Sequence, residues 1–273
     1  MLPELIVVAA VFMVLLVDLL LTAKKRFVLD LIAMAGLGAA FVSLMLMTNV
    51  KDAEMFGGRF ALDSVAWWFK AIFLLSAVIT VAVSMDGLNG RVASAGAKLG
   101  SGGEYYVALL STVAGMMFMS SARDLVMLYV SLELSTIPLF VLTAWRRDAL
   151  SGEAGLKYVV LGALGSAILL YGFSFLYGLT GETDLVAIGR QLTFMSPAFI
   201  MAAVMITAGI GFKMTLVPFH MWAAEVYQGA PTPVTAYLSV ASKAAGLVLM
   251  FQIFFRTMGH VLDEWNMTIA VIA

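Results

Sequence analysis

Apolar runs of about twenty residues recur along the whole chain, separated by short polar stretches. They predict eight spans, at about 2–22, 27–47, 62–85, 104–122, 125–145, 155–178, 196–227 and 233–255, with the start of a ninth near 266. The runs lack the short two-residue alternation of membrane β-strands. A backbone in lipid must satisfy its own hydrogen bonds, so each span is read as a helix. The expected fold is an all-α, polytopic membrane protein. The seventh run is too long for one simple crossing and contains Pro218, which lacks an N–H and clashes with the carbonyl four residues earlier. It predicts a discontinuous seventh helix, with halves at about 196–217 and 219–227.

The flanks of the spans carry topology. Glu4 precedes the first run and Lys24, Lys25 and Arg26 follow it, the reverse of a cleaved signal peptide. With the N-terminus outside, the inner loops hold Lys24–Arg26, Arg91, Lys98, Arg146 and Arg147. The outer ones hold Lys51, Arg59, Arg123, Arg190 and Arg256, and the difference, seven against five, modestly favours an N-terminus on the outer side. The Gly-, Ser- and Ala-rich stretch 86–103 predicts a mobile loop. Trp67, Trp68 and Trp145 fall at span ends, where an aromatic belt lies. The last residues, MTIAVIA, are apolar, so the expectation is a fragment or a chain completed by a second polypeptide.

Composition agrees with this pattern. Of 273 residues, 62% are hydrophobic and 12% charged, against about 25% charged in soluble domains. A net charge of −1 provides no basic footprint for nucleic acid. The absence of cysteine rules out thiolate metal sites and cysteine-held iron–sulfur clusters in the chain. Two histidines, His220 and His260, are too few and too scattered for a convincing metal site.

Against so apolar a background, ionisable residues inside the spans are the candidates for function. Glu133 lies ten residues after Arg123 and thirteen before Arg146, about 15 Å from its nearer flank and beyond snorkelling reach. Pro138 frees the carbonyl of Leu134 beside it. Lys213 precedes Pro218, which frees the carbonyl of Met214, and broken helices at membrane depth line cavities or ion sites. Lys243 is central in the eighth span, with Ser239, Ser242, Ala244, Ala245 and Gly246 close in sequence. His220 follows the break and has the chemistry of a proton shuttle. Lys157 stands four residues after Glu153 and reads first as an ion pair or a snorkelling lysine. Asp18 and Lys70 lie nearer span ends and are weaker candidates, and Glu225 has the half-helix end or the following loop within reach. Blander alternatives remain open at each position. Glu133 can be a protonated side chain making one interhelical bond, Lys213 a fixed salt bridge, and His220 an interfacial residue. Glu133, Lys213 and Lys243 at similar depth on three spans form the kind of row that carries protons in pumps.

The stretch FKMTLVPFHMWAAEVYQGAPTPVTAYLSVASKAAG resembles the proton-conducting, antiporter-like membrane subunits of respiratory complex I, a family that includes the Mrp-type antiporter subunits. VSLELSTIPLFVLTAWRRD and SGEAGLKYVVLGALGSAILLYGFSFLYGLTG agree, and VYQGAPTPV is close to the N-type pattern. The resemblance implies a proton relay of Glu133, Lys213, Lys243, His220 and Lys157, with Glu133 and Lys213 as a switchable ion pair. It implies a translocase subunit with no redox site and no cofactor of its own. Flavin, iron–sulfur clusters and quinone belong to partner subunits, and the partners are the other membrane subunits, the peripheral redox subunits and the lipid bilayer. The implied organisation is three N-terminal helices and a loop (1–103), a five-helix antiporter-like repeat (104–257) and the start of a truncated ninth helix (258–273). The alternatives are an Mrp-type cation/proton antiporter subunit and a truncated, non-pumping scaffold.

Overall fold

The computed structural model describes residues 1–20, 27–48, 53–88, 102–192 and 196–258. The expectations for Lys24–Arg26, Lys51, Arg91, Lys98 and His260, for positions 89–101 of the loop and for a ninth helix lie outside the described residues. Elsewhere the apolar runs become helices close to their expected positions: α1 (Leu2–Leu20), α2 (Phe27–Leu46), α3 (Ser64–Leu88), α4 (Gly102–Ser121) and α5 (Leu125–Thr143). They continue as α6 (Ala149–Thr180), α7 (Leu185–Gln191), α8 (Pro197–Met214), α9 (Met221–Gly229) and α10 (Thr232–Met250). A π-helical turn, Phe251–Thr257, extends α10.

Among the described residues, seven helices are long and apolar enough to cross a membrane. The exception among the long ones is α4, which is less apolar yet the most deeply buried, packed against α1, α2, α3, α5 and α10. A helix surrounded by protein does not face lipid and can carry Tyr105, Tyr106, Thr112 and Ser120 inside the bundle. Three of these hydroxyls have partners: Tyr105 bonds Ser84 at 2.8 Å, Thr112 bonds Tyr237 at 2.9 Å, and Ser120 donates to the Met117 carbonyl at 2.8 Å.

The helix starts follow cap chemistry. Asp124 accepts from the Val126 and Met127 amides at the head of α5. Asp148 and Ser151 form a reciprocal capping box on α6. That box starts α6 at Ala149, six residues before the expected 155, and the Ser151 amide holds the exposed Asp148 carboxyl below the usual carboxylate range. Small residues then set how closely helices approach. A Cβ on Gly209 of α8 would stand 2.6 Å from the Leu169 Cβ of α6, and one on Gly172 of α6 would stand 2.7 Å from Ile206. This contact fixes the height of Lys213, one turn beyond Gly209.

Several features went unanticipated. A short hairpin, β1 (Ala53–Met55) with β2 (Phe60–Leu62), precedes α3, and α7 lies between α6 and α8. Both are too short to show a period. Trp145 does not face lipid: it is buried, edge-on against Tyr105. Trp67 donates to the Leu44 carbonyl, and Trp68 is exposed.

Candidate functional site

The break in the seventh span is real and begins earlier than expected. α8 ends at Met214, and Thr215 takes a left-handed conformation (φ 59°) while its amide bonds back to Phe212. The Leu216 amide bonds the Gly211 carbonyl. Pro218 disfavours helix at the preceding residue as well as removing a donor, so the whole turn before it unwinds. The chain becomes helical again at Met221.

Lys213 occupies the last turn of α8 and is buried. Its ammonium donates to Thr136 Oγ1 of α5 at 2.5 Å. Glu133 lies three residues before Thr136 on the same helix, half-buried, with Oε1 enclosed and without a hydrogen-bond partner. Tyr129, one turn earlier, sits against the same carboxyl group. The expected Glu133–Lys213 ion pair is absent among the described residues; the Lys213 ammonium donates to the Thr136 hydroxyl instead. Next to Lys213 is a cavity of about 20 Å³ whose mostly apolar lining includes Thr136, Ser166, Lys213 and Trp222. That is enough for one water molecule.

Lys243, eleven residues into α10, reaches the same break from the other side. Its ammonium donates to the main-chain carbonyl of Lys213 at 3.3 Å and lies 4.8 Å from the centre of the Trp222 ring. Gly246 allows this approach, since a Cβ there would stand 2.6 Å from Met214 Cγ. Ser239 does not join the site; it is exposed and bonds the Ala236 carbonyl of its own helix. Three of the expected residues, Glu133, Lys213 and Lys243, are thus gathered around one helix break.

The other two stand apart. His220 is exposed at the start of α9 and makes no capping bond. Lys157, in the third turn of α6, is partly exposed and binds Glu153 at 2.7 Å and also Glu225 of α9. Glu225 therefore reaches across to α6, not to the helix end or loop. Sequence reading overlooked Thr136, although its i,i+3 spacing from Glu133 places both on one face. It also overlooked Trp222, which no local pattern marks.

A second buried charge cluster was rated weak from sequence. Lys70 is 1% exposed and meets fully buried Glu4 at 2.5 Å and Ser121 Oγ at 2.5 Å. Nearby, Asp63 accepts from Arg123 at 3.1 Å and also from Arg256, and Arg123 donates to Gln252. Burial, and then the Arg256 guanidinium, lower Arg123 to about 10.

The profile of the family described as "NADH:quinone oxidoreductase/Mrp antiporter, TM" matches residues 122–273, more than half of the chain. The chain belongs to this family. As an antiporter-family chain it is 38% identical to NADH-quinone oxidoreductase subunit N of Chlorobium chlorochromatii, over 98% of its own length and 52% of that protein's. It is 40% identical to NAD(P)H-quinone oxidoreductase subunit 2 of Synechocystis sp., over 100% of its length and 52% of that protein's. It spans about half the length of the curated relatives it matches. Its fold is similar to a chain of respiratory complex I from Thermus thermophilus, with a TM-score of 0.76 and 31% identity, covering 92% of this chain and 53% of that one. A chain of the Mrp complex from Dietzia sp. has a TM-score of 0.80 at 18% identity, covering 94% and 49%, a likeness of fold alone. The antiporter-family fold expected from the sequence, an integral multi-pass membrane protein, is the one observed.

Proposed function

We propose that this chain moves protons as part of a membrane subunit of an NADH-quinone oxidoreductase-type, redox-driven pump. One observation carries the reading: a buried lysine at a helix break, Lys213, has a single hydroxyl partner, a water-sized cavity and a second lysine bonded to its carbonyl. A residue that serves only as a structural brace has its charge neutralised by a fixed counter-ion. Lys213 has none among the described residues, and Glu133, one turn from its hydroxyl partner, has a carboxyl oxygen with no hydrogen-bond partner among them. A small movement of either side chain then makes or breaks the ion pair. Making it favours a proton on Lys213, and breaking it favours release towards Lys243. Each proton moved against 100 mV costs about 2.3 kcal/mol, which quinone reduction elsewhere in the complex has to supply.

Flavin, iron–sulfur clusters and quinone belong to partner subunits in this reading, and the chain does no redox chemistry of its own. The membrane is the bacterial inner membrane, with the N-terminus periplasmic. The names of relatives at 38–40% identity support the redox-driven pump over a stand-alone Mrp-type antiporter. Purifying the native complex in mild detergent and identifying its subunits by mass spectrometry tests this. Peripheral flavin and iron–sulfur subunits are expected, and only antiporter subunits would overturn it. Lys213→Ala tests the relay: assembled complex with undiminished pumping sinks it.

A further inference from the structure

α9 is nine residues long, yet it contacts two lysines of the proposed relay and lines the cavity beside the third. Glu225 pairs with Lys157. Trp222, 4% exposed, lines the cavity beside Lys213, and its indole N–H donates to the Phe212 carbonyl at 3.3 Å. The same ring lies 4.8 Å from the Lys243 ammonium. It stacks on Tyr158 at 4.8 Å and 7° and on Phe212 at 5.1 Å and 20°. Tyr227 adds a second face 5.8 Å from Lys243.

Packing alone does not require this arrangement. A large apolar side chain would also pack against Tyr158 and Phe212. What an indole adds is a π-face with negative potential directed at a cation, and tryptophan is the aromatic side chain best suited to that task. Lys243 has no carboxylate partner among the described residues; its contacts are one carbonyl and two aromatic faces.

We propose that Trp222 is a positioning residue of the relay: its ring holds the proton-loaded ammonium of Lys243 over the helix break, and α9 seats that ring. This rests on the relay reading above. An aromatic face is a suitable counter-group for a transient charge. It stabilises the ammonium when loaded and, unlike a carboxylate, leaves no unpaired charge after the proton departs. The Lys157–Glu225 pair ties α9 to α6, so ring position depends on that pair.

The test replaces Trp222 with tryptophans bearing one to four ring fluorines in the assembled complex, measuring redox-driven proton pumping in membrane vesicles beside Lys243→Ala. Fluorine withdraws charge from the face and barely changes the ring's shape. The expected result is a stepwise fall in pumping with each fluorine, about 2- to 30-fold across the series. A flat series, with Lys243→Ala inactive, overturns the role of Trp222 and leaves the relay standing. Undiminished pumping by Lys243→Ala overturns both. If the fluorinated complex does not assemble, Trp222→Phe and Trp222→Leu decide. Pumping per assembled complex in the order Trp, Phe, Leu supports the proposal, and equal pumping overturns it.

Discussion

The Lys243 ammonium donates to the backbone carbonyl of Lys213, 3.3 Å away, so the Lys243 side chain meets Lys213 at the helix break through its main chain and not through its ammonium. A substitution at 213 therefore removes an ammonium without removing the partner of Lys243. Lys213→Ala and Lys243→Ala are each expected to abolish pumping, while Lys243 in the first variant keeps its carbonyl contact. Glu133→Ala is expected to lower pumping as well, and quinone reduction falls with it where coupling is tight. Proton uptake and quinone reduction, measured together on purified complex, check both.

Thr136 is the hydrogen-bond partner of Lys213. Thr136→Val keeps the shape and removes the hydroxyl, leaving a buried ammonium unsatisfied. A hydrogen bond to a charged group contributes about 1.5–3 kcal/mol, so pumping is expected to fall about tenfold or more. Thr136→Ser restores the hydroxyl and is expected to recover most of the rate. Equal rates for the Val and Ser variants would show that the bond has no part in transfer.

Breaking the Glu4–Lys70 pair leaves either buried Glu4 with only the N-terminal amine, 3.5 Å away, or buried Lys70 with only the Ser121 hydroxyl. Lys70→Met or Glu4→Leu is expected to destabilise the protein by about 3–5 kcal/mol, and the double variant to recover most of that loss. Thermal unfolding of the purified complex, followed on single and double variants, reads the difference. Pumping by complex that assembles is expected to stay near normal, because this pair stands outside the relay.

Glu225→Gln removes one arm of the Lys157 bridge. The expected effect is faster amide hydrogen exchange across α9, with α6 unchanged at Glu153, where the i,i+4 pair persists. Uniform exchange in the variant and the native complex would show that the bridge does not seat α9.

How far the sequence reached can be judged from particular residues. Pro218 announced the broken helix because a missing N–H has the same consequence in any fold. Glu133, Lys213 and Lys243 stood out because a charge far from both flanks is costly wherever the helix sits. Thr136 and Trp222 did not stand out, because a hydroxyl and an indole are common in membrane helices and gain meaning only from what faces them. Lys70 was underrated for the same reason: its distance from a span end was legible, its burial against Glu4 was not.

The sequence by itself determined the long helices, their approximate ends, the break and which charges lie inside the spans, since all of these follow from hydropathy, backbone donors and the cost of charge in lipid. Only the tertiary structure decided the pairings. Helix faces that meet across Gly209, Gly172 and Gly246 are set by contacts at long sequence separation, and those contacts gave Lys213 to Thr136 instead of Glu133 and placed an aromatic face under Lys243. They also left His220 exposed and Lys157 among carboxylates. Local periodicity carries no record of which side chain a neighbouring helix will present.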